Sequence, residues 1–243
     1  MALIVNADDF GMNKSVNAAI ADAFELHLID RTTMMVNMPS AADAMELAED
    51  KGFAGSVGLH LNLTSGKPLT EDIAADPLIC GPSGEFSADF ARSMKTRFFL
   101  PSGTSKRIEK EIRAQLDEYR RLGGTLWHID SHHHVHTDPS IWRILKKVLP
   151  DYPVVSIRLG RNMYIGGNVL FRLYKSLYNL SVKRRSRIRQ DYFGSAEDYA
   201  SFIAHKPDAV RSAIEVMVHP VYDDSGKLSD KCSGTYKELA RLH

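Results

Sequence analysis

Hydrophobic residues along this chain fall into short continuous runs that alternate with stretches of helical spacing. Leu3-Ile4-Val5 has the pattern of a buried strand, and the polar Asn6-Ala7-Asp8-Asp9 begins where such a strand leaves its sheet. After Gly11, Ser15 is placed to cap a helix whose apolar Val16, Ala19, Ile20, Ala23 and Phe24 recur three and four residues apart. Residues 32–36 form a second strand, and Pro39-Ser40 opens an alanine-rich helix that runs to Lys51 and stops at Gly52. In residues 56–63, a third strand, Val57, Leu59, Leu61 and Leu63 alternate with Gly58, His60 and Asn62. Residues 105–122 make the clearest amphipathic helix, ended by Gly123-Gly124, and residues 125–129 a fourth strand. Asp138 then caps a helix over 139–148 with Pro139 at its first turn. Strands follow at 153–157, at Tyr192-Phe193 and at 214–218, with a helix between Gly194 and His205 and a polar loop and short terminal helix at the end. These strand–helix steps predict a parallel α/β sheet with ligands at the carboxyl ends of its strands. Seven parallel strands suit a barrel, and an open doubly wound sheet fits the same periodicity.

Two stretches break the rhythm. Residues 64–104 carry Gly66, Pro68, Pro77, Gly81, Pro82, Gly84, Pro101 and Gly103, so they read as a long excursion with little regular structure, a lid or substrate wall. Its Phe86, Phe90, Phe98 and Phe99 are expected to fasten it to the body. From Arg158 to Arg189 there are nine Lys or Arg and no Asp or Glu, interleaved with leucines and aromatics. That basic insertion, 158–190, reads either as a solvated surface or as a patch for anionic lipid or a lipid-linked sugar.

Composition narrows the class. At 243 residues the chain can bury one substantial core, and a single domain over 1–243 accounts for all of it. Thirty-one Lys plus Arg against 30 Asp plus Glu leave +1, which argues against a nucleic-acid partner, and no reading motif for one is present. Two cysteines in unlike contexts point to a reducing compartment. No apolar run approaches the roughly 18 residues of a membrane span, and Met1 leads directly into a strand, so the expectation is a cytoplasmic protein, peripheral at the inner membrane face if the basic insertion touches lipid. No complete glycine-rich phosphate motif indicates a nucleotide cofactor.

Candidate chemistry concentrates in histidine. Residues 128–136 hold five of the ten histidines, which a core would have to neutralise and hydrogen-bond one by one. Asp8-Asp9, at a strand end, can divide the labour: one carboxylate ligates a metal and the other accepts a proton, or the pair simply caps the following turn. His60 shares a face with Gly58, where a ligand can approach closely. His132 and His136 meet on one face if their segment is helical, and His132 and His134 if it is extended. A mononuclear site of one Asp and two His, with room for water and substrate, fits these stretches together. Such a sphere suits zinc, manganese, iron or cobalt, while magnesium prefers more oxygen. Asp130 reads as a partner to a histidine rather than a further ligand. His219, at the end of an apolar run and before Pro220, is either structural or a proton donor across the pocket from Asp8.

Asn6-Ala7-Asp8-Asp9-Phe10-Gly11, residues 58–64, Asp130-Ser131-His132-His133-His134-Val135-His136 and Val218-His219-Pro220, in that order, resemble the motifs of the YdjC/ChbG-like carbohydrate deacetylases. The resemblance spans residues 3–220. It implies a distorted seven-stranded TIM-like (β/α) barrel and hydrolysis of the N-acetyl group of an acetamido sugar, releasing acetate and a free amino sugar. It implies one divalent metal ion, zinc or magnesium with manganese or cobalt as alternatives, held by Asp9, His60 and His132. Asp8 aligns with the general base and His219 with the acid, leaving His133, His134 and His136 as supporting groups. The substrate so implied is an acetylated amino sugar or oligosaccharide, free or lipid-linked, and a homodimer is compatible with it. Competing classes are a metal phosphoesterase, a glycosidase and a non-catalytic sugar-binding protein at a membrane surface.

Overall fold

β1 (Ala2–Phe10) lies inside a parallel sheet with β2 (Arg31–Met34) on one side and β7 (Ala213–Val218) on the other. A computed structural model of the protein describes residues 2–164 and 169–232. Outward from β2 come β3 (Val57–Leu61), β4 (His128–Ser131) and β5 (Ser156–Ile157), and outward from β7 comes β6 (Tyr192–Ser195). The sheet order is β5-β4-β3-β2-β1-β7-β6, every pairing parallel. In a flat sheet with strands about 4.8 Å apart, β5 would lie roughly 19 Å from β1. Arg158, the residue after β5, instead places both terminal nitrogens within 2.7 Å of Asp8 on β1. The sheet therefore curls into a barrel-like trough, as expected of a distorted seven-stranded barrel. β5 and β6 do not pair; Asn162 bridges the seam, its backbone donating to Phe193 and its side-chain oxygen accepting from the Phe193 amide.

Helices cover the outer face. They are α1 (Lys14–Glu25), α2 (Ala41–Asp50), α3 (Glu71–Ala74), α4 (Asp89–Arg92), α5 (Met94–Phe98), α6 (Ser102–Arg121), α7 (Pro139–Val148), α8 (Val169–Lys183) and α9 (Ala196–His205). Strand residues of one parity, among them Val5, Val57, Leu59, Leu61, Ile129, Ile214 and Val216, are buried in one apolar core with Ile20, Ile112, Leu116, Ile141 and Leu145 of the helices. Residues of the other parity line the trough, and these are polar: Asn6 and Asp8, Arg31 and Thr33, His60, His128 and Asp130, and Glu215, all buried. After β7 the chain adds a hairpin, β8 (Pro220–Tyr222) against β9 (Leu228–Asp230). The expected terminal helix falls on 233–243, outside the described residues.

Several expectations need correction. Asn13, not Ser15, caps α1, its side chain accepting from the Val16 amide. The fourth strand starts three residues later than the apolar run suggested, so His128 opens it and Asp130 belongs to it. The excursion is not wholly irregular, since α3, α4 and α5 lie in it. Phe86 and Phe90 do fasten it, whereas Phe98 and Phe99 stay exposed. α6 ties down its start: the buried Glu111 accepts from the amides of Leu69 and Thr70, and Gln115 bonds both backbone groups of Asn62. Asp138 caps α7 in position only, because its carboxylate is taken by Arg97. Arg158 is not part of a basic surface; it is fully buried in the trough. Cys80 is buried and Cys232 exposed, both as free thiols. Among the described residues no helix is long and apolar enough to cross a membrane.

Candidate active site and metal centre

The carboxyl end of the trough is where the sequence-predicted residues meet. β1 carries Asp8 inward, and extended backbone would send Asp9 outward. Asp9 escapes by adopting φ +72°, at a point where the pairing of β1 with β2 shifts register. This bulge re-aims the second carboxylate into the same pocket, at the cost of a left-handed conformation unusual for a residue with a Cβ. Asp9 Oδ1 lies 3.3 Å from His60 Nε2 and 2.9 Å from His132 Nδ1. One ligand atom from each of Asp9, His60 and His132 falls within 4.8 Å of the others.

Each of these side chains is oriented from behind. His60 Nδ1 donates to Asp130 Oδ1 at 2.7 Å, while Thr33 Oγ1 donates to Asp130 Oδ2 at 2.9 Å. This leaves His60 Nε2 as the ring atom that faces Asp9, the atom that would present a lone pair to a metal once the ion displaces its proton. His132 is brought in by a turn over residues 132–137 in which His133 and His134 both have positive φ, at 52° and 55°. The segment is thus neither of the two regular forms that the spacing allowed. His136 is carried away, its Nδ1 held 2.5 Å from Ser131 Oγ, and His133 meets Thr64 Oγ1 at 3.1 Å.

Beneath this group, buried charge is balanced by two arginines that the sequence reading did not place in the site. Arg158 Nη1 and Nη2 donate to the two oxygens of Asp8, Nη2 also lies 2.7 Å from Asp130 Oδ2, and Nε donates to Glu215 Oε1 at 2.6 Å. Arg31 lies 2.7 Å from Glu215 Oε2 and donates to Asn6 Oδ1 and His128 Nε2. The signal for them was there in part: Glu215 interrupts the run Ile214-Glu215-Val216-Met217-Val218, and a charge inside a buried strand demands a partner. Nothing local identified that partner.

This charge pattern separates three acidic clusters. Asp8-His60-Asp130 and His128-Asp130-Glu215 also bring ligand-type atoms together, but guanidinium groups already occupy them. Asp9 makes no arginine or lysine ion pair among the described residues. Its carboxylate and two imidazole nitrogens converge with no guanidinium or ammonium among them, so the donor set fits a divalent ion.

Electrostatics set the resting protonation. Burial pushes the Asp8 carboxyl up, yet the Arg158 charge outweighs it and holds Asp8 well below the usual carboxylate range. Burial likewise opposes ionisation of Asp9, and hydrogen bonds from His132 and His60 overcome it. For His60, burial alone would lower the pKa, but the Asp130 charge carries it up to about 10. His219 Nε2 stands 4.0 Å from Asp8 Oδ2, its amide donates to Asp230, and its Nδ1 lies 3.4 Å from Cys232 Sγ. Burial lowers the His219 pKa, while the bond to Cys232 and the charge of Asp8 raise it to about 9. His134, desolvated and near Arg158, falls to about 3. Asp8, Asp9 and His219 share the wall of a cavity of about 310 Å³, and a second of about 450 Å³ opens beside His133 and His134.

A curled parallel sheet with a one-Asp, two-His cluster at its carboxyl end, flanked by a carboxylate and an imidazole, defines the class: an α/β barrel with a candidate metal site at its rim. The YdjC-like protein model matches residues 2–243, and the chain belongs to that family. It is 35% identical over 245 residues to a carbohydrate deacetylase of Halalkalibacterium halodurans, covering 100% of this chain and 95% of that one. A carbohydrate deacetylase of Geobacillus stearothermophilus is 33% identical over 98% of this chain and 88% of its own. A crystal structure from Enterococcus faecalis, described as a cellobiose-phosphate cleavage protein, superposes with a TM-score of 0.70 at 24% identity, covering 99% of this chain and 89% of that one; it shares the fold.

Proposed function

We propose that the protein is a divalent-metal-dependent deacetylase that hydrolyses the N-acetyl group of an acetamido sugar, giving acetate and a free amino sugar. The observation that carries this reading is the convergence of Asp9, His60 and His132 with no arginine or lysine among them, next to an Asp8–His219 pair 4.0 Å apart. Kinship with proteins named carbohydrate deacetylases gives the substrate class.

Asp9, His60 and His132 would hold the ion, which would supply Lewis-acid activation of water and of the acetyl carbonyl when bound. One carboxylate and two imidazoles suit zinc; magnesium is the second candidate. Asp8 takes the proton of the attacking water as the new C–O bond forms. Arg158 engages both Asp8 oxygens, keeping the carboxylate ionised and aimed; Asn6 Nδ2 also donates to Oδ1, so Oδ2, the oxygen that faces His219, retains a lone pair for the incoming proton. His219, protonated at neutral pH by its surroundings, gives its proton to the nitrogen as the C–N bond breaks. The two groups therefore rest in the base and acid forms that the reaction needs. A two-metal phosphoesterase would need a second vacant carboxylate cluster, and Arg158 and Arg31 fill those present.

The test is acetate release from N-acetylglucosamine, diacetylchitobiose and lipid-linked acetamido sugars, using chelated enzyme reconstituted separately with zinc, manganese, cobalt and magnesium. Metal-dependent release lost in Asp9→Ala and His132→Ala is expected. Folded, metal-loaded protein that frees no acetate from any of them would overturn the reading.

A further inference from the structure

Helix α8 is anchored on one side only. Tyr178, Asn179 and Val182 are buried, and Asn179 bonds both backbone groups of Gly160. On the other side Leu170, Leu173, Leu177 and Leu180, spaced three, four and three residues apart, are between 47% and 77% exposed. The face continues onto a second element: Phe98 of α5 packs near Tyr174 of α8, with ring centroids 6.3 Å apart, and Met94 and Phe99 beside it are also exposed. Nine of the thirteen large apolar side chains exposed among the described residues belong to this one region. A soluble surface scatters such residues; a contiguous patch marks contact with something apolar.

Charge says what that is. Residues 158–190 contain no Asp or Glu, and Arg184, Arg185, Arg187 and Arg189 are exposed just beyond the end of α8. A two-fold pairing of this face with a second copy would set two acid-free cationic segments against each other. An apolar stripe flanked by cations matches acyl chains beneath anionic headgroups. The same two helices border a cavity. Arg97 of α5 and Phe171 and Lys175 of α8 line the cavity of about 450 Å³ whose floor includes His133 and His134, next to the candidate metal ligand His132.

We propose that α8 and α5 form an interfacial docking surface for an anionic lipid bilayer, with α8 lying in the headgroup plane and the cavity at the margin of the contact. Docking so oriented favours acetamido sugars carried on a lipid; this last step rests on the deacetylase reading, and the docking itself does not.

The experiment is co-sedimentation of the full chain with vesicles of phosphatidylglycerol and phosphatidylcholine, and with phosphatidylcholine alone. Binding to the anionic vesicles at least about tenfold stronger is expected, weakened by salt and reduced at least about tenfold in Leu173→Gln/Leu177→Gln. That variant should keep its far-ultraviolet circular dichroism and its acetate release from diacetylchitobiose. No binding to anionic vesicles, or binding that the leucine substitutions leave unchanged, would overturn the proposal. A dimer in solution that the same substitutions dissociate would overturn it in favour of a second copy. Vesicle binding by a protein that never releases acetate would support the docking and sink the deacetylase reading alone.

Discussion

Arg158 grips both carboxylate oxygens of Asp8, at 2.6 and 2.7 Å, across 150 positions of sequence. The same guanidinium lies within 2.7 Å of Asp130 and 2.6 Å of Glu215, so one cation is shared by three buried carboxylates. Removing it strands those charges in a dry interior. Arg158→Met is expected to lose roughly 3–5 kcal/mol of stability, read from the midpoint of urea unfolding, and Arg158→Lys to recover only part, because an ammonium cannot reproduce the fork.

Asp130 is tied to the candidate metal site through its hydrogen bond with His60. Asp130→Asn leaves an acceptor for His60 Nδ1 but removes its charge, so affinity for zinc should fall about 10- to 100-fold. Competition against a chromophoric chelator measures it. Unchanged affinity would mean that Asp130 serves only to balance Arg158.

His219 is tested through its leaving group. His219→Gln should lower kcat for an acetamido sugar by about 10²- to 10⁴-fold. An activated aryl acetate, whose leaving group departs without a proton, should be hydrolysed nearly as well by the variant as by the parent. Equal losses on both substrates would assign His219 to binding instead.

Lys175 gives a pH signature away from the candidate metal ligands. It is buried, its Nζ donating to Thr137 Oγ1 at 2.9 Å, and burial outweighs the attraction of Asp138 to bring its pKa down to about 8 from 10.5. The folded state thus binds this proton less tightly than the unfolded chain. The resulting penalty is fully present below about pH 8 and is relieved as pH rises toward 10.5. Thermal melts of the parent against Lys175→Met should show the parent gaining relative stability from pH 8 to pH 10; a flat difference would contradict the depressed pKa.

Gly58 faces the trough two residues before His60 on the same side of β3, and a Cβ there would stand 2.9 Å from the His128 carbonyl oxygen and 3.1 Å from Thr33 Cγ2. Gly58→Ala should cost about 1–3 kcal/mol through overpacking, measured by urea unfolding. The backbone of β4 needs the space, so the requirement at Gly58 comes from the fold as much as from any ligand.

Much of the fold was legible because its signals are local. Alternation in β3 put His60 on the face opposite Leu59 and Leu61, and the apolar runs ending in Asp8-Asp9, in the histidine cluster and in His219 marked the same end of a parallel sheet. Charge outside apolar sequence also marked the basic stretch, although the sequence could not separate the exposed leucines of α8 from the buried Arg158 at its head. Where the exit segments lost regular geometry, sequence gave only alternatives. The bulge that turns Asp9 inward and the left-handed turn that selects His132 over His136 depend on neighbouring strands and on Ser131, and spacing does not encode them.

What the sequence determined by itself, then, is the strand–helix order and the set of side chains delivered to one rim, since both follow from residue-to-residue periodicity. Tertiary structure decided the electrostatics. Only the curl of the sheet brings Arg158 from β5 to Asp8 on β1 and Glu215 on β7, and thereby leaves Asp9, His60 and His132 as the one of the three acidic clusters not filled by a guanidinium. A buried charge is compensated through space, and distance through space is what a linear sequence does not state.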